Sequence, residues 1–180
     1  LVRADAHARI SGGLTQALRD IDRAIALDGK NAKAWRLRGD LLREAGGDLN
    51  RAAADLSRAI ELDPSDAEAY GLRGVVYTNQ RRLDRALADY DQAIKLKPDF
   101  SRAYYNRGNL RSGRKDYHGA IEDYGKAIDI DRAFAEAYYN RANVFTRTGQ
   151  YEKALADYDM VLSLRPDDAD AQENRDIVRR

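Results

Sequence analysis

The chain contains no cysteine, so it has neither a disulfide nor a thiolate to use as ligand or nucleophile, and its redox compartment cannot be read. It holds three prolines in 180 residues, which leaves long stretches open to uninterrupted helix. No apolar run approaches the roughly 18 to 20 residues that cross a bilayer, so no membrane insertion is expected. No signal peptide opens the chain either. The first residues already read as helix interior, so an upstream segment is expected to have been removed. A cytoplasmic location is the default, with a periplasmic or other one if that segment was a signal. Charge of one sign is lacking as well: 31 Lys plus Arg stand against 30 Asp plus Glu, a net +1. That balance, with no continuous basic stripe, argues against a nucleic-acid partner. The two histidines, His7 and His118, are far apart, and no H-E-x-x-H, G-x-S-x-G or P-loop pattern occurs. The chain is read as no enzyme, with no metal site and no cofactor.

What is present is strongly helical in composition, 43% hydrophobic and 34% charged. It is also periodic. Ala154 echoes Ala120 and Ala86, Tyr158 echoes Tyr124 and Tyr90, and Asp157 echoes Asp123 and Asp89, each step being 34 residues. Pro64 and Pro98 are 34 apart, and Pro98 and Pro166 twice that. A period of this length with helical spacing inside it indicates a stacked array in which each unit packs on its neighbours.

With Ala135 at position 1, the chain divides into 1–31, 32–66, 67–100, 101–134 and 135–168, followed by a capping segment, 169–180. The first unit enters at position 4, and the second carries one extra residue near Gly46-Gly47, where a turn absorbs it. Apolar and small positions recur at three- and four-residue spacing in two blocks, which predicts helix A over about positions 2–14 and helix B over about 18–31. Gly12, Gly46-Gly47 and Gly149 mark the turn between them, and Arg81 and Lys115 replace that glycine in the middle units, so those two turns are expected to be less tightly specified. Position 8 (Gly39, Gly74, Gly108, Ala142) and position 20 (Ala17, Ala52, Ala86, Ala120, Ala154) stay small where two axes approach within about 8 to 10 Å. Proline at position 32 stops helix B, and Ser65-Asp66-Ala67-Glu68 reads as a capping box. Where Gly29 and Arg132 replace proline, the corner is expected to rest on packing alone.

These residues carry a resemblance. Tyr70, Gly74, Tyr77, Ala86, Tyr90, Ala93 and Pro98 are similar to the pattern of the tetratricopeptide repeat family, as are Trp35, Gly39, Ala52, Ala59 and Pro64, and Tyr104, Gly108, Ala120, Tyr124 and Ala127. The resemblance covers essentially the whole chain. It implies an all-α fold, a right-handed superhelical solenoid of antiparallel helix pairs. Its A helices would line a concave groove for a peptide or helix of another protein, so that the chain acts as a non-catalytic interaction scaffold or adaptor.

One departure from that pattern is an arginine at position 7 together with an aspartate at position 23. Arg38, Arg73, Arg107, Arg141 and Arg175 stand a constant 18 residues after Asp20, Asp55, Asp89, Asp123 and Asp157. Pairing inside a unit would instead give separations of 17, 16, 16 and 16 and strand both Asp20 and Arg175. The between-unit scheme leaves nothing over, so each arginine is expected to bond the aspartate of the preceding unit, as a structural ladder.

The groove face that the resemblance implies falls on positions 2, 5, 6, 9, 12 and 13 of helix A, neighbours at i, i+3 and i+4. It holds Lys33, Arg36 and Arg43, then Asn79, then Arg102, Tyr105, Asn106 and Asn109, then Tyr139, Asn140, Asn143 and Arg147. The duplicated Tyr105-Asn106-Asn109 and Tyr139-Asn140-Asn143 form the candidate peptide-gripping surface, because an amide both donates and accepts and tyrosine gives contact area at low entropic cost. The competing reading is that YYNRGN and YYNRAN are simply well-folding helix-A sequence. The lysine-asparagine clamp by which some family members hold a terminal carboxylate is matched only in fragments. A looser preference for acidic segments through Lys33, Arg36, Arg43 and Arg102 stands as an expectation. The N-terminal end lacks a cap, which makes homodimerisation there, or service as one segment of a larger protein, the alternative use of the chain.

Overall fold

The computed structural model describes the backbone of residues 2–180 and the side chains from Gly13 onward. The helices are α1 (Val2–Leu27), α2 (Ala32–Glu44), α3 (Leu49–Leu62), α4 (Ala67–Asn79), α5 (Leu83–Leu96), α6 (Ser101–Gly113), α7 (Tyr117–Ile130), α8 (Ala135–Arg147), α9 (Tyr151–Leu164) and α10 (Ala169–Arg179), with no strand among the described residues. The helices fall into two compact units, 1–96 and 97–180. In the first, the packed pairs are α1–α2, α2–α3, α3–α4 and α4–α5; in the second they are α6–α7, α7–α8, α8–α9 and α9–α10. Helix A of one repeat also touches helix A of the next, α2 with α4 and α6 with α8.

Local chemistry explains the boundaries. Asn31, Asp48, Asp66, Asp116 and Asp168 cap the helices that follow them, each side-chain oxygen accepting a free backbone N–H of the first turn. The cap of α4 is therefore Asp66, which accepts from Ala69 N at 3.0 Å. The capping box expected from Ser65 does not form: the cap lies one residue later, with alanine three residues beyond it, and Ser65 bonds Asp63 instead. Between helices A and B the chain closes with the same left-handed residue each time: Gly46 (φ 62°), Arg81 (φ 60°), Lys115 (φ 65°) and Gly149 (φ 73°). The residue after it donates its N–H to a carbonyl five residues back, as Gly47 does to Leu42, Arg82 to Tyr77, Asp116 to Arg111 and Gln150 to Phe145. The turns at Arg81 and Lys115 thus share one geometry with the glycine turns, because tertiary packing imposes a φ that the side chain itself disfavours.

Two further expectations change. α1 is one continuous helix through Gly12 and Gly13, so the turn expected at Gly12 is absent. A side chain added at Gly13 would meet nothing within 4 Å, so no antiparallel partner forces a corner there. The corners at Gly29 and Arg132 do not rest on packing alone. Asp28 accepts from Lys30 N and Asp131 from Ala133 N, both at 3.0 Å, the same local turn that Asp63 makes with Ser65 N beside Pro64. Proline is thus an addition to a corner already made by an aspartate.

The core follows the repeat. Tyr90, Tyr124 and Tyr158 are at most 2% exposed and lie against the small position 8 of helix A. A Cβ at Gly74 would sit 2.6 Å from the Tyr90 ring, and one at Gly108 2.8 Å from that of Tyr124. Ala59, Ala93 and Ala127 are fully buried, consistent with close docking of helix B. The N-terminal end, to which the homodimer was assigned, begins at Leu1 and includes side chains before Gly13; these lie outside the described residues.

Candidate functional site

The arginine–aspartate ladder forms inside each repeat from the second to the fifth. Arg38 grips Asp55 through Nε (2.7 Å) and Nη2 (2.7 Å), Arg73 grips Asp89 (2.8 and 2.8 Å), Arg107 grips Asp123 (2.9 and 2.6 Å) and Arg141 grips Asp157 (2.7 and 2.8 Å). The between-unit pairing expected from the constant separation of 18 is overturned. Asp20 is exposed and accepts from Gln16, and Arg175 bonds Asp159. The reason is geometric. Position 8 of helix A lies against position 24 of helix B in the same hairpin, so their chain neighbours, positions 7 and 23, meet there as well. The extra residue near Gly46 lengthens one separation along the chain to 17 without moving either side chain in space.

The arginine does also reach back to the preceding helix B, two residues further along. Nη1 of Arg38, Arg73 and Arg175 contacts Asp22 (2.7 Å), Ser57 (3.0 Å) and Asp159 (2.9 Å). The equivalent residue before Arg141 is Gly125, where an added Cβ would lie 3.6 Å from Arg141 Nη1. The four aspartates of the ladder are 2 to 6% exposed. Each accepts two parallel charge-assisted hydrogen bonds, which compensates the cost of removing a carboxylate from water. These bonds raise the affinity of Arg38 and Arg73 for the proton; on Arg141 burial opposes the charge and the bonds to Asp157 outweigh it.

In the first unit two of the expected groove cations, Arg36 and Arg43, are already neutralised. Arg36 pairs with Asp66 at 2.9 Å and with Glu68, and Arg43 bonds Asp40 at 2.9 Å and Glu44 at 3.1 Å. Lys33 and Asn79 are exposed.

In the second unit the structure brings the two Tyr-Asn sets into one network. Tyr105 packs on Tyr124 with ring centroids 6.0 Å apart, and Tyr139 on Tyr158 at 6.0 Å. Tyr124 donates its hydroxyl to Asn109 Oδ1 (2.8 Å) and Tyr158 to Asn143 Oδ1 (2.7 Å). Asn140 Nδ2 then bridges adjacent A helices, donating to Tyr105 Oη (3.1 Å) and to Asn109 Oδ1 (2.8 Å). One repeat later Asn174 Nδ2 donates to Tyr139 Oη at 2.8 Å. Asn174 was missed in the sequence, although Asn106, Asn140 and Asn174 share the 34-residue period. Asn106 is partly exposed and Arg102 is exposed, the latter close enough to Glu136 to favour its ionised form after the larger effect of Arg165.

This arrangement decides what each amide can offer. The oxygens of Asn109 and Asn143 are taken by tyrosine hydroxyls, while their Nδ2 groups find no acceptor among the described residues. Those amides border an open cleft of about 350 Å³ that Arg147 and Lys115 also line. No helix among the described residues is long and apolar enough to cross a membrane, and no cluster of three metal-ligating side chains occurs among them.

Family models described as tetratricopeptide repeat match residues 1–49, 67–100 and 135–168, and one described as TPR repeat matches 43–81 and 114–149. No curated protein matches. Among solved structures, the chain is similar to a crystal structure of MamA, with 25% identity, a TM-score of 0.78, and coverage of 90% of this chain and 94% of that one. YrrB, described as a TPR protein with an unusual peptide-binding site, is similar at 23% identity and TM-score 0.76, over 88% of this chain and 81% of its own. The first TPR of Spaghetti (RPAP3), bound to the HSP90 peptide SRMEEVD, is similar at 24% identity and TM-score 0.62, over 65% of this chain and 93% of its own.

Proposed function

Because the chain belongs to the tetratricopeptide repeat family, we propose that it is a non-catalytic interaction module that holds a peptide segment of another protein on the helix-A face of α6, α8 and α10. The observation that carries this reading is the pair of amide groups, Asn109 Nδ2 and Asn143 Nδ2, left without protein acceptors beside an open cleft. Each amide is held by a buried tyrosine, so little side-chain entropy remains to be lost when a peptide carbonyl accepts from it. That YrrB and the Spaghetti domain bind peptides supports the same use of the fold. The non-catalytic part is supported by the buried carboxylates, all of which are committed to arginine rather than poised for proton transfer.

The test is a selection of dodecapeptides from a random library on the full chain, followed by titration calorimetry on the Asn109→Ala, Asn143→Ala double variant after circular dichroism shows that it folds. Losing two hydrogen bonds of about 0.5 to 1.5 kcal/mol each predicts binding weaker by about 5- to 150-fold. Equal affinity for both proteins removes these two amides from the function, and with them the observation that carries this reading.

A further inference from the structure

Two clefts adjoin on the helix-A face of the second unit and share the side chains of Asn143 and Arg147. One, of about 350 Å³, contains Lys115 and Asn109; the other, of about 340 Å³, runs on to Ile177 and Val178 of α10. No carboxylate lines either cleft. Lys115 and Arg147 are exposed and have no ion-pair partner among the described residues, in a chain whose acids and bases otherwise nearly balance. Three acids of this unit are engaged elsewhere: Asp123 with Arg107 and Arg111, Asp157 with Arg141, and Glu136 with Arg165. The amides add donors here rather than acceptors, since tyrosine hydroxyls occupy the oxygens of Asn109 and Asn143. Beside them lies an apolar floor, with Ile177 58% exposed.

The same face has the opposite character toward the start of α8. A cleft of about 270 Å³ there holds Glu136, Asp168 and Asp170 with a single cation, Arg165. A charged ligand is therefore oriented, its acidic part repelled from that end and drawn to the turn that follows helix A.

We infer that the joined clefts take an acidic peptide segment of a partner protein, with a carboxylate between Lys115 and Arg147 and the adjacent apolar side chain against Ile177 and Val178. The inference rests on the reading of this face as a peptide-binding surface and adds the chemical class of the ligand. Its cations stand at positions 15 and 13, at the turn end of helix A, and not at positions 2 and 5, where Lys33, Arg102 and Arg36 stand. It also relocates the preference for acidic segments away from Arg36 and Arg43, whose charge is internally satisfied.

The experiment is an NMR titration of the full 15N-labelled chain, read at the side-chain amides of Asn109, Asn140 and Asn143. The probes are capped ten-residue Gly-Ser peptides centred on Glu-Asp-Leu, Gln-Asn-Leu, Lys-Lys-Leu, Glu-Asp-Ser or phosphoserine-Leu. Glu-Asp-Leu is expected to bind about tenfold tighter than the neutral and basic peptides, to weaken with added salt, and to exceed Glu-Asp-Ser. Lys115→Glu with Arg147→Glu should remove that preference by tenfold or more, and the milder Lys115→Gln with Arg147→Gln should reduce it, both sites being exposed and remote from the core. If Asn109→Ala with Asn143→Ala weakens all peptides alike while neither charge variant changes any affinity, the peptide face stands and the acidic inference falls. If the charge variants abolish Glu-Asp-Leu binding but the amide variant does not, the acidic inference stands and the role proposed for the two amides falls instead. Tenfold tighter binding of the phosphoserine peptide reassigns the anion to a phosphate and overturns the carboxylate, and absence of binding by every peptide overturns the inference.

Discussion

Each B helix from α5 onward in the full repeats carries one tyrosine whose ring fills the space left by a small residue and whose hydroxyl meets a polar group on helix A. In α5 that group is Thr78, 3.2 Å from Tyr90 Oη. Burial, partly offset by that contact, pushes the Tyr90 phenol up to about 12 from the ordinary 10.0, and burial raises Tyr124 and Tyr158 in the same direction. The consequence for stability has a definite sign. Below pH 10 both folded and unfolded chains keep the proton; between 10 and about 12 the unfolded chain releases it first, so stability falls as pH rises through that window. For Tyr90 the loss amounts to about 3 kcal/mol by the top of the window. Tyr90→Phe is expected to give a flatter alkaline limb in urea unfolding at a series of pH values from 8 to 12. An unchanged limb would place the titrating group elsewhere.

At the scale of helices, the arginine of helix A joins three elements: its own helix, the helix B it faces, and the helix B before it. The α7–α8 junction lacks the third contact, since Gly125 stands where Asp22, Ser57 and Asp159 serve the other arginines. Gly125→Ser restores an acceptor in a space already 3.6 Å wide and replaces a glycine in the middle of α7. The helix gains about 0.5 kcal/mol in propensity and up to about 1 kcal/mol from the hydrogen bond. The substitution is therefore expected to raise stability by about 1 kcal/mol in urea melts, and to lose the hydrogen-bond share when combined with Arg141→Lys. A destabilised Gly125→Ser protein would mean that the added hydroxyl does not reach Arg141 Nη1 and that the larger side chain overpacks the junction.

At the scale of the whole molecule, a chain built of neighbour contacts unfolds by parts rather than all at once. Gly39→Ala places a methyl 2.7 Å from Leu56 Cγ and 3.1 Å from the Ala52 carbonyl, overpacking the α2–α3 hairpin. A typical overpacking cost of 1 to 3 kcal/mol, reduced by about 1 kcal/mol of helix propensity, leaves a net loss near 1 kcal/mol. Hydrogen exchange read by mass spectrometry should show α2 and α3 opening several-fold faster while α8 and α9 keep their protection. Uniform acceleration along the chain would instead mean one cooperative unit.

The helix pairs of the second to fifth repeats and the buried Gly-Tyr and alanine rows were legible in residue order because they follow local rules: apolar period, proline stops, small residues where axes approach. The caps were not, since Ser65 reads as the cap of α4 and Asp66 is the residue that makes it. The partners of the polar side chains were not. Periodicity says which residues are equivalent, but chain separation does not say which equivalents meet. The constant spacing of 18 matched every arginine to an aspartate, yet antiparallel packing within the hairpin brought Arg107 to Asp123 and Arg141 to Asp157 instead. Likewise Asn109 and Asn143 stood out as amides able to donate and accept, and only the placement of Tyr124 and Tyr158 against them turned both into donors. Composition and period determined an array of helix pairs; side-chain contacts across those helices, made where residues distant in sequence share a few ångströms, decided which groups are spent on the fold and which are left to face a partner.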